Sequence, residues 1–279
     1  LRKVPALASY GEDLIGRAEL AWERVKLTTG NFTVFQTDCD DQNIESGDAD
    51  QTAERQLDNA VVAAVYLYEA TGDEEYRLFA EANYANVHLY AIKWWGPYWV
   101  PQQLALLRFS QLPGVSATVA ANIRTMKAGM DYQNSINAYN NASDLYRSQM
   151  DDASYVWGHN QTRSNAGNTN LDYITFAINP SRASLYREVA EQYLHWMHGV
   201  NPLSLVMLTN MYRFGASKSA NEIFHTWFKN GTPWDNAQTS TYGPPPGYVP
   251  GGPNKKYTGP VTGITDQPHQ KAYKDWNTD

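Results

Sequence analysis

Ala64-Val65-Tyr66-Leu67-Tyr68-Glu69-Ala70-Thr71-Gly72-Asp73-Glu74-Glu75-Tyr76 holds parts of two helices and the corner between them. Ala64, Val65 and Tyr68 extend a stripe begun at Leu57 and Val61, at the spacing of one helix face. Gly72 closes that stripe, because glycine enters the left-handed conformation without a Cβ clash. Asp73 then offers a carboxylate to the free N–H groups of a following helix. The stretch therefore predicts a helical hairpin: a helix over about 52–71, then one over about 74–91 presenting Tyr76, Phe79, Ala80, Tyr84 and Val87.

Toward the N-terminus, Leu7, Leu14, Ala18, Ala21 and Val25 predict a helix over roughly 6–26. The acidic run Thr37–Asp50 crowds hard oxygen ligands together, as a calcium loop does, yet its spacing does not fit the twelve-residue EF-hand pattern. A solvated loop leading to a helix N-terminus is the favoured reading, since carboxylates suit that end of the dipole. Toward the C-terminus, Trp94-Trp95-Gly96-Pro97-Tyr98-Trp99 sets four aromatic rings between helices, as a core plug or as a stacking surface. Helical spacing returns over about 101–111, 115–137, 166–178 and 182–199, and no segment alternates with the period of a strand. The expectation is an all-α architecture of stacked helical hairpins, with no break in composition to divide residues 1–279 into domains.

Beyond Gly199 the pattern changes. The run Tyr242-Gly243-Pro244-Pro245-Pro246-Gly247-Tyr248-Val249-Pro250-Gly251-Gly252-Pro253-Asn254 cannot be a regular helix or central strand. Trp227, Phe228, Trp234, Tyr248 and Tyr257 are interleaved with it and argue against disorder, so this region reads as a long irregular but ordered loop system over a helical scaffold.

The totals narrow the function. Hydrophobic residues make up 42% of 279, enough for a substantial core. A formal charge of −7 disfavours nucleic acid and anionic membrane surfaces as partners, and no apolar run is long enough to span a bilayer. Nine Trp and nineteen Tyr suit a surface that stacks on sugar rings. Cys39 is alone, which excludes an internal disulfide and a thiolate metal cluster. Nucleophile-elbow, phosphate-loop, dinucleotide and HExxH patterns are absent. His195 and His198 read as helix-surface packing, whereas His225, set among aromatic residues just before Gly231, is a candidate donor to a sugar hydroxyl. The sequons at Asn31, Asn141, Asn160 and Asn230 matter only if a eukaryote secretes the protein.

Four segments in order resemble glycoside hydrolase family nine, the inverting cellulases. They are the Ala64–Tyr76 hairpin, Tyr155-Val156-Trp157-Gly158-His159-Asn160, the Asn201-Pro202 helix end followed by His225, and the Pro245–Asn254 loop. The resemblance covers essentially the whole chain as the later two-thirds of a catalytic domain, and it implies an (α/α)6 barrel with a cleft built from loops at one end. It further implies that Trp157 stacks on a glucosyl unit and His225 hydrogen-bonds near the cleaved bond. Trp94 or Trp95 would line a neighbouring subsite, with Arg163 and Tyr248 as further substrate contacts. The expected partner is a β-glucan or cello-oligosaccharide, no cofactor is required, and the expected location is extracellular. Departures are local. Trp227 stands where the family often has an Arg, and Gln161 where its substrate loop continues with Arg. A structural calcium site is implied at Asp58, although Asn59 replaces the companion carboxylate.

Inverting hydrolysis requires one carboxylic acid and one carboxylate base, about 6.5–9.5 Å apart. The resemblance places the base before Leu1 and the acid after Asp279, so the sequence reads as a fragment lacking both. Asp275 and Asp279 read as flanking residues. Two other classes stay open: a non-catalytic helical carbohydrate-binding or scaffold protein, and another α/α-barrel enzyme such as an exo-glucosaminidase or polysaccharide lyase.

Overall fold

The computed structural model describes residues 2–29, 52–130, 133–141, 145–148 and 150–276. The acidic run Thr37–Asp50, Cys39 and Asp279 lie outside these residues. The chain forms two compact units. The first comprises residues 1–95 and 99–130, the second residues 96–98 and 131–279.

In the first unit, α1 spans Ala8–Thr29 and α2 spans Ala53–Thr71. They are followed by α3 (Glu74–Asn83), α4 (His88–Ile92), α5 (Val100–Phe109) and α6 (Ala117–Gly129). The corner of the hairpin forms as its residues dictate. Gly72 adopts φ 76° and its N–H returns to the Tyr68 carbonyl, while the Asp73 carboxylate accepts the Glu75 N–H at 2.9 Å. Val61, Ala64, Val65, Ala80, Leu106, Leu107 and Phe109 are buried in the core. Trp22 of α1 meets Tyr76 and Phe79 edge-on, with its indole N–H on Glu75.

The helix expected over 74–91 is interrupted. It stops at Asn83 and restarts at His88, whose N–H is capped by the buried carboxylate of Asp58 at 2.8 Å. A cap supplied from thirty residues away leaves no local pattern in sequence. The helix expected over 115–137 also divides, into α6 and, in the second unit, α7 (Gln133–Asn140).

The second unit is built on α8 (His159–Thr175) and α9 (Ala183–Met197). A Cβ on Gly167 of α8 would lie 3.3 Å from the Cβ of Tyr193, so the two helices approach where only glycine fits well. Tyr173 and Tyr186 stack between them at 4.4 Å. After α9, the Asn201 amide ties the Trp196 and Leu205 carbonyls to the Leu203 and Leu205 N–H groups. That corner feeds a short parallel pair, β1 (Val206–Thr209) and β2 (Ser219–Ala220). The pair was not expected, being too short to display a period of two. The remaining chain to Trp276 is mainly turns and irregular backbone.

Candidate functional site

The second unit carries a groove of about 390 Å³ whose walls include Trp157, Gln161, Phe224, Val249 and Pro250. Each wall has a local cause. The Val156–Gly158 turn closes with the His159 N–H on the Val156 carbonyl, and Gly158 sits at φ 81° to start α8. Trp157 is thereby left 78% exposed. Asn160, one residue into the helix, clamps the opposite wall: its backbone N–H donates to the Gly251 carbonyl and its amide to the Pro250 carbonyl, each at 3.0 Å. Gly252 packs so tightly on this amide that a Cβ there would fall 2.3 Å from Asn160 Oδ1.

The far side of the proline–glycine loop hangs from the end of β1. Thr209 exchanges backbone bonds with Gly247 and Tyr248, and Asn210 donates to the Pro244 carbonyl. The loop is thus ordered through main-chain bonds at both edges. Tyr248, 51% exposed, is presented near Phe228 at 6.2 Å. His225 is exposed and caps the turn Thr226–Phe228, with Nδ1 accepting the Trp227 N–H at 3.3 Å. In the neutral ring this bond leaves the proton on Nε2, a directional donor for a hydroxyl. Its ring lies 5.4 Å from Trp227 and 5.8 Å from Phe228.

Beneath Trp157 lies a feature that sequence reasoning misjudged. Helix α8 begins at His159, seven residues before the expected start, because buried polar groups occupy positions where an apolar stripe would be sought. Arg163 is fully buried, with its guanidinium 3.8 Å over the Trp196 ring and bonds to the Tyr155 hydroxyl, the Ser148 carbonyl and His159 Nε2. It has no surface with which to meet a sugar, so the expected role as a substrate contact is corrected to that of an internal support. Since Arg can only donate, His159 Nε2 must accept, which puts the ring proton on Nδ1, bonded to the Ser154 carbonyl at 2.8 Å. Burial, then the neighbouring Arg163 cation, pushes the His159 pKa down from 6.5 to about 3. The Tyr155 ring stacks on His159 at 4.1 Å.

In the first unit, Trp94 is half-buried and Trp95 is only 1% exposed, packed against Tyr90 and the Lys127 ammonium. Trp95 is therefore core, which corrects its expectation as a subsite residue. At Asp58, where a calcium ion would need six to eight oxygen ligands, Oδ2 is buried without a hydrogen-bond partner among the described residues. Its Oδ1 serves the His88 N–H and its surroundings raise its pKa by desolvation. Among the described residues no group of three or more His, Cys, Asp or Glu side chains could hold a metal. Among them, too, no helix is long and apolar enough to cross a membrane. Asp275 is committed to structure: it accepts the Asn221 backbone and amide N–H groups and the Tyr273 hydroxyl.

Solved structures share this fold. A single-mutant thermostable endoglucanase from Alicyclobacillus acidocaldarius matches with a TM-score of 0.55 at 20% identity, over 78% of this chain and 38% of its own. A metagenome-derived glycoside hydrolase family 9 endoglucanase gives 0.59 at 21%, over 84% and 39%. A GH9 protein of Bacteroides ovatus gives 0.53 at 20%, over 78% and 35%. At these identities the likeness fixes the fold: the mostly helical chain has, in part, the (α/α)6 architecture of such enzymes. It spans well under half the length of each of these three. No curated protein matches. The profile of Glycosyl hydrolase family 9 matches residues 3–279, and the chain belongs to that family.

Proposed function

We propose that this chain contributes substrate-binding surface to an enzyme that hydrolyses β-1,4-glucosidic bonds in cellulose or a related glucan. The observation that carries the reading is the groove in which exposed Trp157 faces a wall formed by Phe224 and the Val249–Gly251 loop. An aromatic face stacks on the apolar C–H face of a pyranose, while bonds at the rim fix which hydroxyls are read. His225 Nε2 and the Tyr248 hydroxyl supply such bonds in this reading. A family relative, AaCel9A, has been solved with cellobiose-like isofagomine, which agrees with a glucan ligand.

Bond cleavage in this reading is inverting. One carboxyl group protonates the leaving oxygen while a carboxylate activates water on the opposite face of the ring. Neither group is among the residues that line the groove. Action on an insoluble polymer also favours an extracellular location, because such a substrate does not enter cells. Affinity electrophoresis of the full chain in gels containing hydroxyethylcellulose tests the groove. Trp157→Ala should weaken retardation about tenfold or more, with thermal stability unchanged. Retardation identical to that of the unsubstituted chain would overturn the reading.

A further inference from the structure

A second aromatic surface lies outside the groove, on the loop between Lys229 and Gly243. Trp234 and Tyr242 stand 4.6 Å apart with their planes 30° from parallel, and they remain 42% and 61% exposed. Proximity of the two rings is built into the backbone, since the Tyr242 and Gly243 N–H groups both return to the Pro233 carbonyl, at 2.8 and 3.2 Å. Gly243 holds φ 67°, and a Cβ there would lie 2.6 Å from the Ala237 Cα, so the seam closes only with glycine.

The loop interior is organised by Asn236. Its side-chain oxygen accepts the Gln238 and Thr239 N–H groups, and its backbone N–H bonds to the Ser240 hydroxyl. Its amide donates to Glu222 Oε1 at 2.8 Å, and the neighbouring Ala237 N–H bonds to the Asn221 carbonyl. Asn221 is in turn held by Asp275. The loop therefore rests on the two residues that directly precede Ile223 and Phe224 in the groove wall. These bonds fix the backbone that carries the two rings, so the rings are presented already ordered, which reduces the entropy lost on binding.

We infer that Trp234 and Tyr242 form an accessory stacking site for glucosyl units of a β-glucan chain whose other units occupy the Trp157 groove. The inference rests on the proposed function. Flat exposed rings match the C–H face of a pyranose, and the acceptors nearby, Asp235 and Glu222, match hydroxyl donors. A formal charge of −7 disfavours an anionic lipid or nucleic acid as the occupant.

The test is titration of the full chain with cello-oligosaccharides of increasing length, followed by NMR. Trp157→Ala should weaken binding of every length. Trp234→Ala and Tyr242→Ala should leave the shortest binding ligand unaffected and weaken the longest about fivefold. Trp234→Phe keeps a flat ring and should restore most of that loss, which a folding defect would not allow. If Trp157→Ala abolishes binding while Trp234→Ala leaves the affinity for long oligosaccharides unchanged, the accessory site is wrong and the groove stands. If Trp157→Ala changes nothing at any length, the groove reading fails, and the accessory site fails with it.

Discussion

The α2–α3 hairpin and the loop region after Gly199 are stable for different reasons. In the hairpin, burial does most of the work: Val61, Ala64, Val65 and Ala80 are nearly inaccessible, Thr52 and Asp73 cap the helix starts, and Asp58 reaches out to cap α4. From Gly199 to Trp276, single polar side chains (Asn201, Thr209 and Asn236) each organise two or more backbone groups, and Asp275 holds Asn221. Main-chain groups that form no regular ladder must find other partners, and these residues provide them. The lesson is that the helical part tolerates change at many positions, whereas the loop region depends on a few hubs that nevertheless hold the aromatic rings of the groove in place.

Two arginines give the sharpest contrast and the largest expected effect. Arg163 is wholly enclosed and bonded on several sides, whereas Arg108 pairs with Glu69 at the surface, its side chain 45% exposed. Arg163→Ala should destabilise the second unit by on the order of 3 kcal/mol, since buried acceptors lose their donor. Arg108→Ala should cost less than about 1 kcal/mol. Urea denaturation measures both. Equal effects would show that the enclosed cation is not a support for the groove.

This contrast also explains what could be read from the sequence. The hairpin was legible to the residue at Gly72 and Asp73, because periodicity and capping are local. The Tyr242–Asn254 loop was legible as ordered from its interleaved aromatics, though not its anchors on Asn160 and Thr209, which lie far away in the chain. Trp157, His225 and Tyr248 are the expected site residues; Trp157 lines the groove, whereas His225 and Tyr248 stand next in sequence to its lining residues Phe224 and Val249. Arg163 and Trp95 were misread because exposure of a single Arg or Trp has no local signature. The early start of α8 was hidden by the same polar residues that make its first turns unusual.

A pH titration sharpens the comparison next. His159 has a folded pKa of about 3 against 6.5 when unfolded, so the unfolded chain binds the extra proton. Its contribution to stability is complete above about pH 7 and is lost as pH falls through 6.5 toward 3. Between pH 7 and 5 the loss should be about 2 kcal/mol. Asp58, Glu222 and Asp275 act with the opposite sign: burial raises their pKa, so they favour the folded state as they become protonated. Subtracting the profile of His159→Gln from that of the unsubstituted chain removes these carboxyls from the reading. A difference that stays flat between pH 7 and 5 would mean that His159 is not held neutral.

A smaller effect than that of Arg163 or His159 lies at the corner from which the fold is read. Asp73 accepts the Glu75 N–H at 2.9 Å and precedes two further acidic residues, Glu74 and Glu75, in the first turn of α3. Removing the cap exposes one N–H to water without opening a cavity, so Asp73→Ala should cost about 1 kcal/mol, a fall of roughly 2 °C in Tm. Asp73→Ser keeps an oxygen acceptor and should retain nearly all of that stability, which separates the hydrogen bond from the helix dipole. If serine proved as costly as alanine, charge rather than the bond would govern the corner. Glu74 and Glu75 could then take over part of the role, and neutralising them should become the more damaging change. Binding to hydroxyethylcellulose should be untouched in every one of these variants, because the groove is held by its own hubs in the second unit.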